Sequence, residues 1–296
     1  MQRSSAATFF ERMMADRERM HGFREAIRAQ IRPGHIVVDL GCGAGLLSMF
    51  AAEAGAAHVI AVEPCAEAAA LAREIIADND YDGIIEVVEG DPSAFDPGMK
   101  VDAVICGLIG NFGTDAGIER ILGGFCSRHL KPDGVAIPRR ISTYLAPVCF
   151  EDEATGLWWE DSYGFNLTAG NRYIGWPDAR FINPVRPWVT LAPPTRVEHL
   201  QFNAYGLDRA AARPARFELP DPARLEGFLG WFEADLSRGN RLSNRLHRPD
   251  NSWPLWFWPV APGIALEAGD RLTARILDMD QPENAAIWQL DWRMDA

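Results

Sequence analysis

Cysteines are few in this sequence and long apolar runs are lacking, and both shortages narrow the class of protein. The five cysteines stand singly, without the close pairs of a zinc site or the density of a disulfide-stabilised secreted domain. No stretch reaches the roughly 18–20 apolar residues of a membrane helix, and the charged N-terminal segment is unlike a secretory signal. We therefore expect a cytoplasmic protein with free thiols, no metal centre and no membrane contact.

Basic residues are also scarce relative to acidic ones. The 29 Lys and Arg against 41 Asp and Glu give a net charge of −12, which disfavours non-specific binding to nucleic-acid phosphates. A composition with 48% hydrophobic and 24% charged residues is ordinary for a globular protein and excludes disorder, collagen and coiled coil. No nucleic-acid partner is therefore expected, and 296 residues suffice for one large domain or two.

The two halves of the chain differ in composition and pattern. All ten tryptophans lie at Trp158 or later, whereas the first half is rich in Ala, Val, Ile and Gly. After an amphipathic helix predicted over 13–31, apolar strand-like segments alternate with helical ones, which predicts an α/β domain with a doubly wound parallel sheet. The predicted strands are 35–40, 58–62, 84–88 and 101–106; the predicted helices are 46–54, 66–79 and 118–130, the last closed by a turn at 131–134.

Beyond about residue 141 the apolar segments become short, aromatic and β-branched, and Pro and Gly separate them. Segments 271–277 and 287–292 are examples. This pattern predicts an antiparallel β-barrel or sandwich. We therefore expect two domains, 1–140 and 141–296, with the boundary near residues 138–141.

A glycine-rich turn follows the first predicted strand. Glycines at Gly41, Gly43 and Gly45 let the backbone turn sharply and approach a ligand where a Cβ would collide with it. The dinucleotide fingerprint would need glycine at Leu46, and a phosphate-binding loop would need Gly-Lys-Ser/Thr, so neither is present. The remaining pattern, which begins at Asp39, is typical of class I methyltransferases that bind S-adenosylmethionine.

Polar residues follow the next two strands at the corresponding positions. Glu63 ends the second strand, where a carboxylate can accept hydrogen bonds from both hydroxyls of a ribose. Asp91 and Ser93 follow the third strand, where a polar group can meet the adenine amine. Because the carboxyl ends of parallel strands share one edge of a sheet, these groups and the glycine-rich turn together predict a nucleotide site.

The order of further motifs resembles the protein arginine methyltransferase family over nearly the whole chain. Residues 37–52, VVDLGCGAGLLSMFAA, match that family's first motif almost position by position, and HLKPDG at 129–134 matches its passage into the barrel. Matching elements continue at 159–166, 231–232, 242–243, 251–253 and 268–270. The resemblance implies an S-adenosylmethionine domain followed by a β-barrel, and a homodimer formed through an arm around 157–190.

The same resemblance assigns roles to individual residues. Met13 matches the methionine that packs beside the sulfonium, and Arg19 matches the arginine that pairs with the cofactor carboxylate, for which a guanidinium fork is suited. The implied cofactor is S-adenosylmethionine and the implied product is S-adenosylhomocysteine. Gly41, Gly43, Gly45 and Glu63 carry over as further cofactor contacts, and Asp39, Asp91 and Ser93 are expected contacts from their places at the strand ends.

The sequence departs from the family where the acceptor binds. Gly107 and Ala116 stand at the positions of the two glutamates that clamp the arginine guanidinium. Burying a guanidinium without a partner costs several kcal/mol, so arginine is excluded unless another acid replaces the clamp. Asp115 and Glu119 are the nearest acids, although Asp115 also fits a helix cap. In addition, Ser252 replaces the family's histidine before tryptophan, and Phe10 stands where another histidine is expected.

Aromatic residues are predicted to line the acceptor side. A predicted strand or loop facing the cofactor carries Trp253, Trp256 and Trp258, whose rings can hold a planar or weakly cationic acceptor. Trp253 is a catalytic candidate. The alternative for all three tryptophans is that they pack in the ordinary core of the barrel. We therefore expect a methyltransferase that acts on a nitrogen or carbon of a small molecule. Two alternatives stay open: protein arginine methylation with Asp115 or Glu119 as clamp, and a non-catalytic regulatory paralogue that binds S-adenosylmethionine.

Overall fold

The computed structural model describes residues 5–150, 161–162, 164–173, 180–182, 188–210, 213–245, 251–277 and 289–295. Its helices are α1 (Ser5–Ala15), α2 (Arg17–Gln30), α3 (Leu46–Glu53), α4 (Ala66–Asp78) and α5 (Gly124–His129). A π-helical turn (Glu119–Gly123) precedes α5, and a 3-10 turn spans Thr168–Tyr173. Strands of the first half are β1 (Ile36–Leu40), β2 (His58–Glu63), β3 (Ile85–Glu89), β4 (Val101–Cys106) and β5 (Leu130–Ile137).

The second half consists of strands. They are β6 (Arg140–Phe150), β7 (Asp161–Ser162), β8 (Phe165–Asn166), β9 (Arg180–Ile182), β10 (Trp188–Thr190), β11 (Thr195–Asn203), β12 (Gly206–Ala210), β13 (Ala215–Glu218), β14 (Ala223–Ser237), β15 (Asn240–Ser243), β16 (Leu255–Leu266), β17 (Arg271–Ile276) and β18 (Leu290–Asp295).

The N-terminal helical region is broken, so the single helix predicted over 13–31 is wrong. The chain turns at Asp16, whose side chain accepts a hydrogen bond of 3.1 Å from the backbone N–H of Arg19. An aspartate that satisfies a free N–H in this way is a favoured N-cap, so α2 begins after it. Helix α2 then buries Phe23 and Ile27 against the first sheet.

The first half is a parallel five-stranded sheet of order β3-β2-β1-β4-β5, which confirms the predicted doubly wound domain. The strand order reverses between β1 and β4, whose last residues, Leu40 and Cys106, are register partners. In open α/β sheets ligands bind in the crevice at such a switch point, beyond the carboxyl ends of the strands.

The predicted helix over 118–130 and its closing turn need correction. The segment starts as a π-helical turn, and α5 ends at His129. Residues 131–134 lie inside β5, between the register pairs Val101–Leu130 and Ala103–Val135, where the pairing shifts. Pairing with β4 therefore overrides the local turn signal of Pro132 and Gly134.

The second half is antiparallel, as predicted. Its larger sheet has the order β12-β11-β6-β14-β16-β9, with β10 on β6 and β15 on β14; the smaller sheet has the order β13-β17-β18. The two sheets share a core in which Phe228 of the larger sheet contacts Phe217 and Trp292 of the smaller one. Between the halves, β5 ends at Ile137 and β6 begins at Arg140.

The two halves also share a core, which positions the site at their junction. Phe232, Leu242 and Trp253 of the second half pack with the α2 and β1 residues of the first. Among the described residues, no helix is long and apolar enough to cross a membrane. Within the same residues no cluster of three metal-ligating side chains occurs.

Candidate active site

A cavity of about 820 Å³ opens where β1, β2 and β4 end and the second half approaches. Its wall contains the predicted residues Met13, Arg19, Gly41, Gly43, Glu63 and Trp253. The predicted Asp39, Gly45, Asp91, Ser93, Asp115 and Glu119 are not part of that wall. Residues that sequence reasoning did not assign to the site include Arg12, Met14, Met20, Leu108, Ile109 and Asn111.

The glycine-rich turn has the conformation that its sequence predicts. Gly43 has φ +55°, and a Cβ built there would lie 2.5 Å from Cε1 of Phe10. Gly45 has φ +82° and directly precedes α3, where its Cβ would meet Ile76 at 3.0 Å. Both positions therefore require glycine, because of the backbone conformation and because of the limited space. Gly43 lines the cavity, whereas Gly45 does not.

Glu63 is held rigidly in the cavity wall. The side chain is buried, its Oε2 accepts a 2.9 Å hydrogen bond from the N–H of Gly43, and its Oε1 accepts a 3.0 Å bond from the N–H of Cys65. Each carboxylate oxygen can accept a further hydrogen bond. The arrangement can therefore receive two neighbouring hydroxyls, as the ribose of a nucleotide presents them.

Asp39 lies beneath the turn and supports it. Its side chain is fully buried, Oδ2 accepts a 2.7 Å hydrogen bond from the hydroxyl of Ser48, and Oδ1 has no partner among the described residues. Burial raises the pKa of Asp39 to about 7, with the hydrogen bond from Ser48 opposing and the charge of Glu63 adding to the rise. Asp39 is thus a buried support rather than a contact of the cavity.

Arg19 is the buried cation of the site. Its guanidinium donates to Oγ of Ser252 at 3.2 Å and to the carbonyl of Gly107 at 3.0 Å, and it lies 4.1 Å from the ring centroid of Trp253. The Nε atom is buried without an acceptor among the described residues. Burial lowers the pKa of Arg19 to about 10, and Asp16 opposes this effect, so the side chain keeps its charge at neutral pH.

Asp16 is a site residue that sequence reasoning missed. It is fully buried, and its Oδ2 accepts hydrogen bonds of 2.8 Å from both the N–H and the hydroxyl of Ser252. Its Oδ1 caps α2 through the N–H of Arg19. The available signal was an aspartate three residues before Arg19 at a helix start.

The two acids predicted as replacement clamps lie outside the cavity. Asp115 accepts hydrogen bonds from the N–H of Phe112 at 2.8 Å and from Nε1 of Trp256 at 2.9 Å, so both of its oxygens are engaged. Burial raises the pKa of Asp115 and also that of Glu119, whose neighbours Glu198 and Arg209 act in opposite directions.

Gly107 and Ala116, by contrast, do line the cavity. These two positions, which the resemblance aligns with the family's clamp, carry no carboxylate.

The three predicted tryptophans separate. Trp253 lines the cavity and donates from Nε1 to the carbonyl of Ile109 at 2.9 Å. Trp256 and Trp258 stack with centroids 5.4 Å apart in the core of the second half, so placing them at the cofactor is wrong. Their shared face, predicted from strand alternation, is present.

Asp91 and Ser93 form a local turn instead of a contact with the cavity. Oδ1 of Asp91 accepts the N–H of Ser93 and Oδ2 accepts its hydroxyl, both at 2.8 Å. These hydrogen bonds lower the pKa of the exposed Asp91.

The donor set fits S-adenosylmethionine. Glu63 offers acceptors for two hydroxyls, the turn at Gly43 leaves no room for a side chain, and Arg19 has a buried N–H without an acceptor. The ribose of the cofactor can donate to Glu63, its chain can pass close to the backbone at Gly43, and its carboxylate can accept from Arg19.

Comparison with known proteins agrees with this geometry. Residues 37–134 match a methyltransferase domain family. The chain is 28% identical over 240 residues to "Probable protein arginine N-methyltransferase 6" of Arabidopsis thaliana, covering 77% of this chain and 54% of the relative. It is 28% identical over 287 residues to "Arginine N(omega)-methyltransferase" of Streptomyces achromogenes subsp. streptozoticus, covering 89% and 74%.

A solved structure shows the same fold. It is described as the Trypanosoma brucei PRMT1 enzyme-prozyme heterotetrameric complex with AdoHcy, and the match has a TM-score of 0.72 at 20% identity, covering 90% of this chain and 86% of that one. Three plant relatives are matched over only 54–62% of their length.

Fold, turn and matched domain together define a class I methyltransferase domain whose cofactor is S-adenosylmethionine and whose product is S-adenosylhomocysteine. Within that class the chain is protein arginine methyltransferase-like: its two-domain fold and the relatives that match most of its length are of that kind.

Proposed function

We propose that this protein transfers a methyl group from S-adenosylmethionine to an uncharged nitrogen or carbon of a small molecule. The supporting observation is the composition of the cavity wall. Among the described residues that line it, Glu63 is the single carboxylate, and its oxygens already bind the N–H groups of Gly43 and Cys65. Nothing else in the described wall can neutralise a cationic acceptor.

The charges in the wall also disfavour a guanidinium. Arg12 and Arg19 both line the cavity, and Gly107 and Ala116, which align with the family's two glutamates, carry no charge, so the described wall offers an arginine acceptor no carboxylate partner at those positions. A guanidinium stays protonated at neutral pH, and burying it without a partner costs several kcal/mol. A neutral amine, an aromatic nitrogen or an electron-rich carbon avoids this cost.

The chain's own residues supply binding and orientation. The cofactor, when bound, supplies a methyl group already activated on a sulfonium, so positioning of the acceptor is the main requirement. Glu63 and Arg19 are the polar groups that bind the two ends of the cofactor. The ring of Trp253 lines the cavity next to Arg19. The amide of Asn111 is a neutral group of the wall that can orient a polar acceptor, whereas the hydroxyl of Ser252 is already engaged by Asp16 and Arg19.

Arginine methylation is the second candidate because the relatives are named for it. The Streptomyces relative is named for arginine without the word protein. For this chain the activity requires Asp115 or Glu119 to enter the cavity, and Asp115 would first have to release Phe112 and Trp256. If arginine is the acceptor, Asp115→Asn or Glu119→Gln should abolish methylation of arginine or an arginine peptide.

A non-catalytic role is the third candidate. The solved structure of similar fold is described as an enzyme-prozyme heterotetrameric complex, and that description is the reason for considering such a role. This role predicts calorimetric binding of S-adenosylhomocysteine without turnover of any acceptor.

The deciding experiment incubates the protein with methyl-labelled S-adenosylmethionine and an extract of its source cells, and separates the label by size. Label in the small-molecule fraction supports the proposal, and Gly43→Ala, which fills the cofactor turn, serves as the inactive control. Label in protein would overturn the small-molecule acceptor, and no label above the control would favour the non-catalytic role.

The homodimer and the cytoplasmic location stay predictions. The predicted arm at 157–190 lies only partly within the described residues, where β7 and β8 pair and Phe165 is exposed. Sedimentation velocity of the wild type and of Phe165→Glu tests the dimer, since a charge in an arm interface should shift the protein to monomer.

A further inference from the structure

A second cavity, of about 450 Å³, lies where the chain passes from the first half to the second. One side is the start of β6, with Arg139 and Arg140; the other is the hairpin of β14 and β15, with Arg238 and Arg241. Among the described residues of this wall, Asp235 is the single acid. Four guanidiniums against one carboxylate form a local excess of positive charge in a chain whose net charge is −12.

The acids near this cavity are already paired. Arg241 donates from Nε to Asp235 at 2.6 Å and from Nη1 to Glu233 at 2.9 Å. Arg139, Arg140 and Arg238 form no ion pair within the described part of the chain. Three guanidiniums therefore face the cavity region without a compensating charge.

Arg140 adds an observation that surface arginines do not provide. Its Nε is buried and finds no acceptor among the described residues. Leaving a buried donor unsatisfied costs about 1–3 kcal/mol, and more for a charged group. Arg140 is thus a half-buried cation of the cavity wall, held beside the cavity rather than extended into solvent.

The cavity is also built on rigid elements. The N–H of Arg139 donates to the carbonyl of Asp235 and the carbonyl of Arg139 accepts from Phe202, both at 2.9 Å. The hairpin is tied to α2 by a 2.7 Å hydrogen bond from Nδ2 of Asn240 to the carbonyl of Gly22. The arginines thus converge from fixed backbone positions.

We propose that this cavity binds a phosphate group, either as free phosphate or on a small phosphorylated metabolite. A phosphate near neutral pH carries about two negative charges and three acceptor oxygens that match guanidinium forks. A carboxylate, with one charge, would leave most of the positive excess uncompensated. An extended nucleic acid is disfavoured because the chain is acidic. The site is separate from the methyl-transfer cavity, since the two share no lining residue.

The test is isothermal titration of the full chain with inorganic phosphate, glycerol 3-phosphate, sulfate and acetate at constant ionic strength. Arg140→Gln and Arg238→Gln should each weaken phosphate binding about tenfold, the equivalent of ~1.4 kcal/mol. Arg271→Gln is the matched control, because Arg271 is exposed and belongs to the smaller sheet. Its affinity should stay within about twofold of the wild type.

Folding is checked by S-adenosylhomocysteine affinity, which the variants should keep because they lie outside the cofactor cavity. Tighter binding of the ester than of free phosphate identifies a phosphorylated metabolite, and the reverse identifies free phosphate. Absence of phosphate binding by the wild type, equal binding by Arg140→Gln, equal weakening by Arg271→Gln, or acetate binding as tight as phosphate would each overturn the proposal.

Discussion

Asp16 and Ser252 lie 236 residues apart in the chain and share two hydrogen bonds of 2.8 Å. The carboxylate accepts from both the backbone N–H and the hydroxyl of Ser252, and the same hydroxyl accepts from Arg19. The corner between α1 and α2 is thereby fastened to the second half of the molecule. Arg19 is held at the cavity by that connection.

Asp16→Asn should destabilise the protein and weaken cofactor binding. One amide oxygen cannot replace both carboxylate oxygens, so at least one buried donor loses its acceptor, at a cost of about 1–3 kcal/mol. Ser252→Ala keeps the backbone bond to Asp16 but removes an acceptor of the Arg19 guanidinium, so it should also destabilise the protein, by about 1–3 kcal/mol. Urea unfolding gives the stability and calorimetry with S-adenosylhomocysteine gives the affinity; an Asp16→Asn variant as stable as the wild type would contradict the network.

Gly43→Ala should abolish cofactor binding, whereas Gly34→Ala should not. Both glycines have positive φ, +55° and +90°, so both alanines carry backbone strain. A Cβ at Gly43 would contact Phe10 at the cavity, but a Cβ at Gly34 meets nothing within 4 Å. Equal loss of S-adenosylhomocysteine affinity in the two variants would show that strain, rather than occupied space, is responsible.

Asp39 should give the protein a pH-dependent stability. Because the folded pKa of about 7 is above the unfolded value, the folded state holds a proton that the unfolded state has released. The contribution of Asp39 is therefore fully present below about pH 4 and is lost as pH rises to about 7, with a slope of up to ~1.4 kcal/mol per pH unit.

The Asp39 effect is measured as the difference in unfolding free energy between wild type and Asp39→Asn. That difference should change between about pH 4 and pH 7 and become constant above about pH 7. Asp91→Asn is the control with opposite sign, because the pKa of Asp91 is lowered and its contribution is lost only as pH falls. A pH-independent difference for Asp39→Asn would show that its carboxyl is not protonated in the fold.

Gly107→Glu combined with Ala116→Glu should create activity on arginine. Both positions line the cavity, and Ala116 is exposed, whereas a Cβ at Gly107 needs only a small shift of Leu47, 3.2 Å away. Two carboxylates would compensate the charge of a bound guanidinium. The rates at which this variant methylates free arginine and an arginine peptide are compared with those of the double variant Gly107→Gln and Ala116→Gln. Equal rates in the two double variants would mean that charge does not select the acceptor.

Much of the first half could be predicted from sequence because its signals are local. Apolar strands alternating with amphipathic helices indicate a parallel sheet, and the glycines at 41, 43 and 45 have the positive φ values that only glycine adopts readily. Glu63 follows from its place at a strand end. The break at Asp16 was missed because helical periodicity continues across it, although its capping side chain was visible in the sequence.

The acceptor side could not be predicted to the same depth. Trp256 and Trp258 have the same aromatic character as Trp253, yet they pack in the core shared by two sheets. Asp115 has the right charge and neighbourhood in sequence, but its oxygens are taken by Phe112 and Trp256. The surroundings of these side chains depend on which strands become neighbours, and this cannot be read from residue type.

The sequence by itself determined the class I domain, the cofactor turn and the absence of glutamates at Gly107 and Ala116, because each depends on the residue at one position and its immediate neighbours. Tertiary structure alone decided that Asp16 meets Ser252, that Arg19 lies on Trp253, and that four arginines converge at the junction. These contacts join segments far apart in the chain, so they exist only once the molecule has folded.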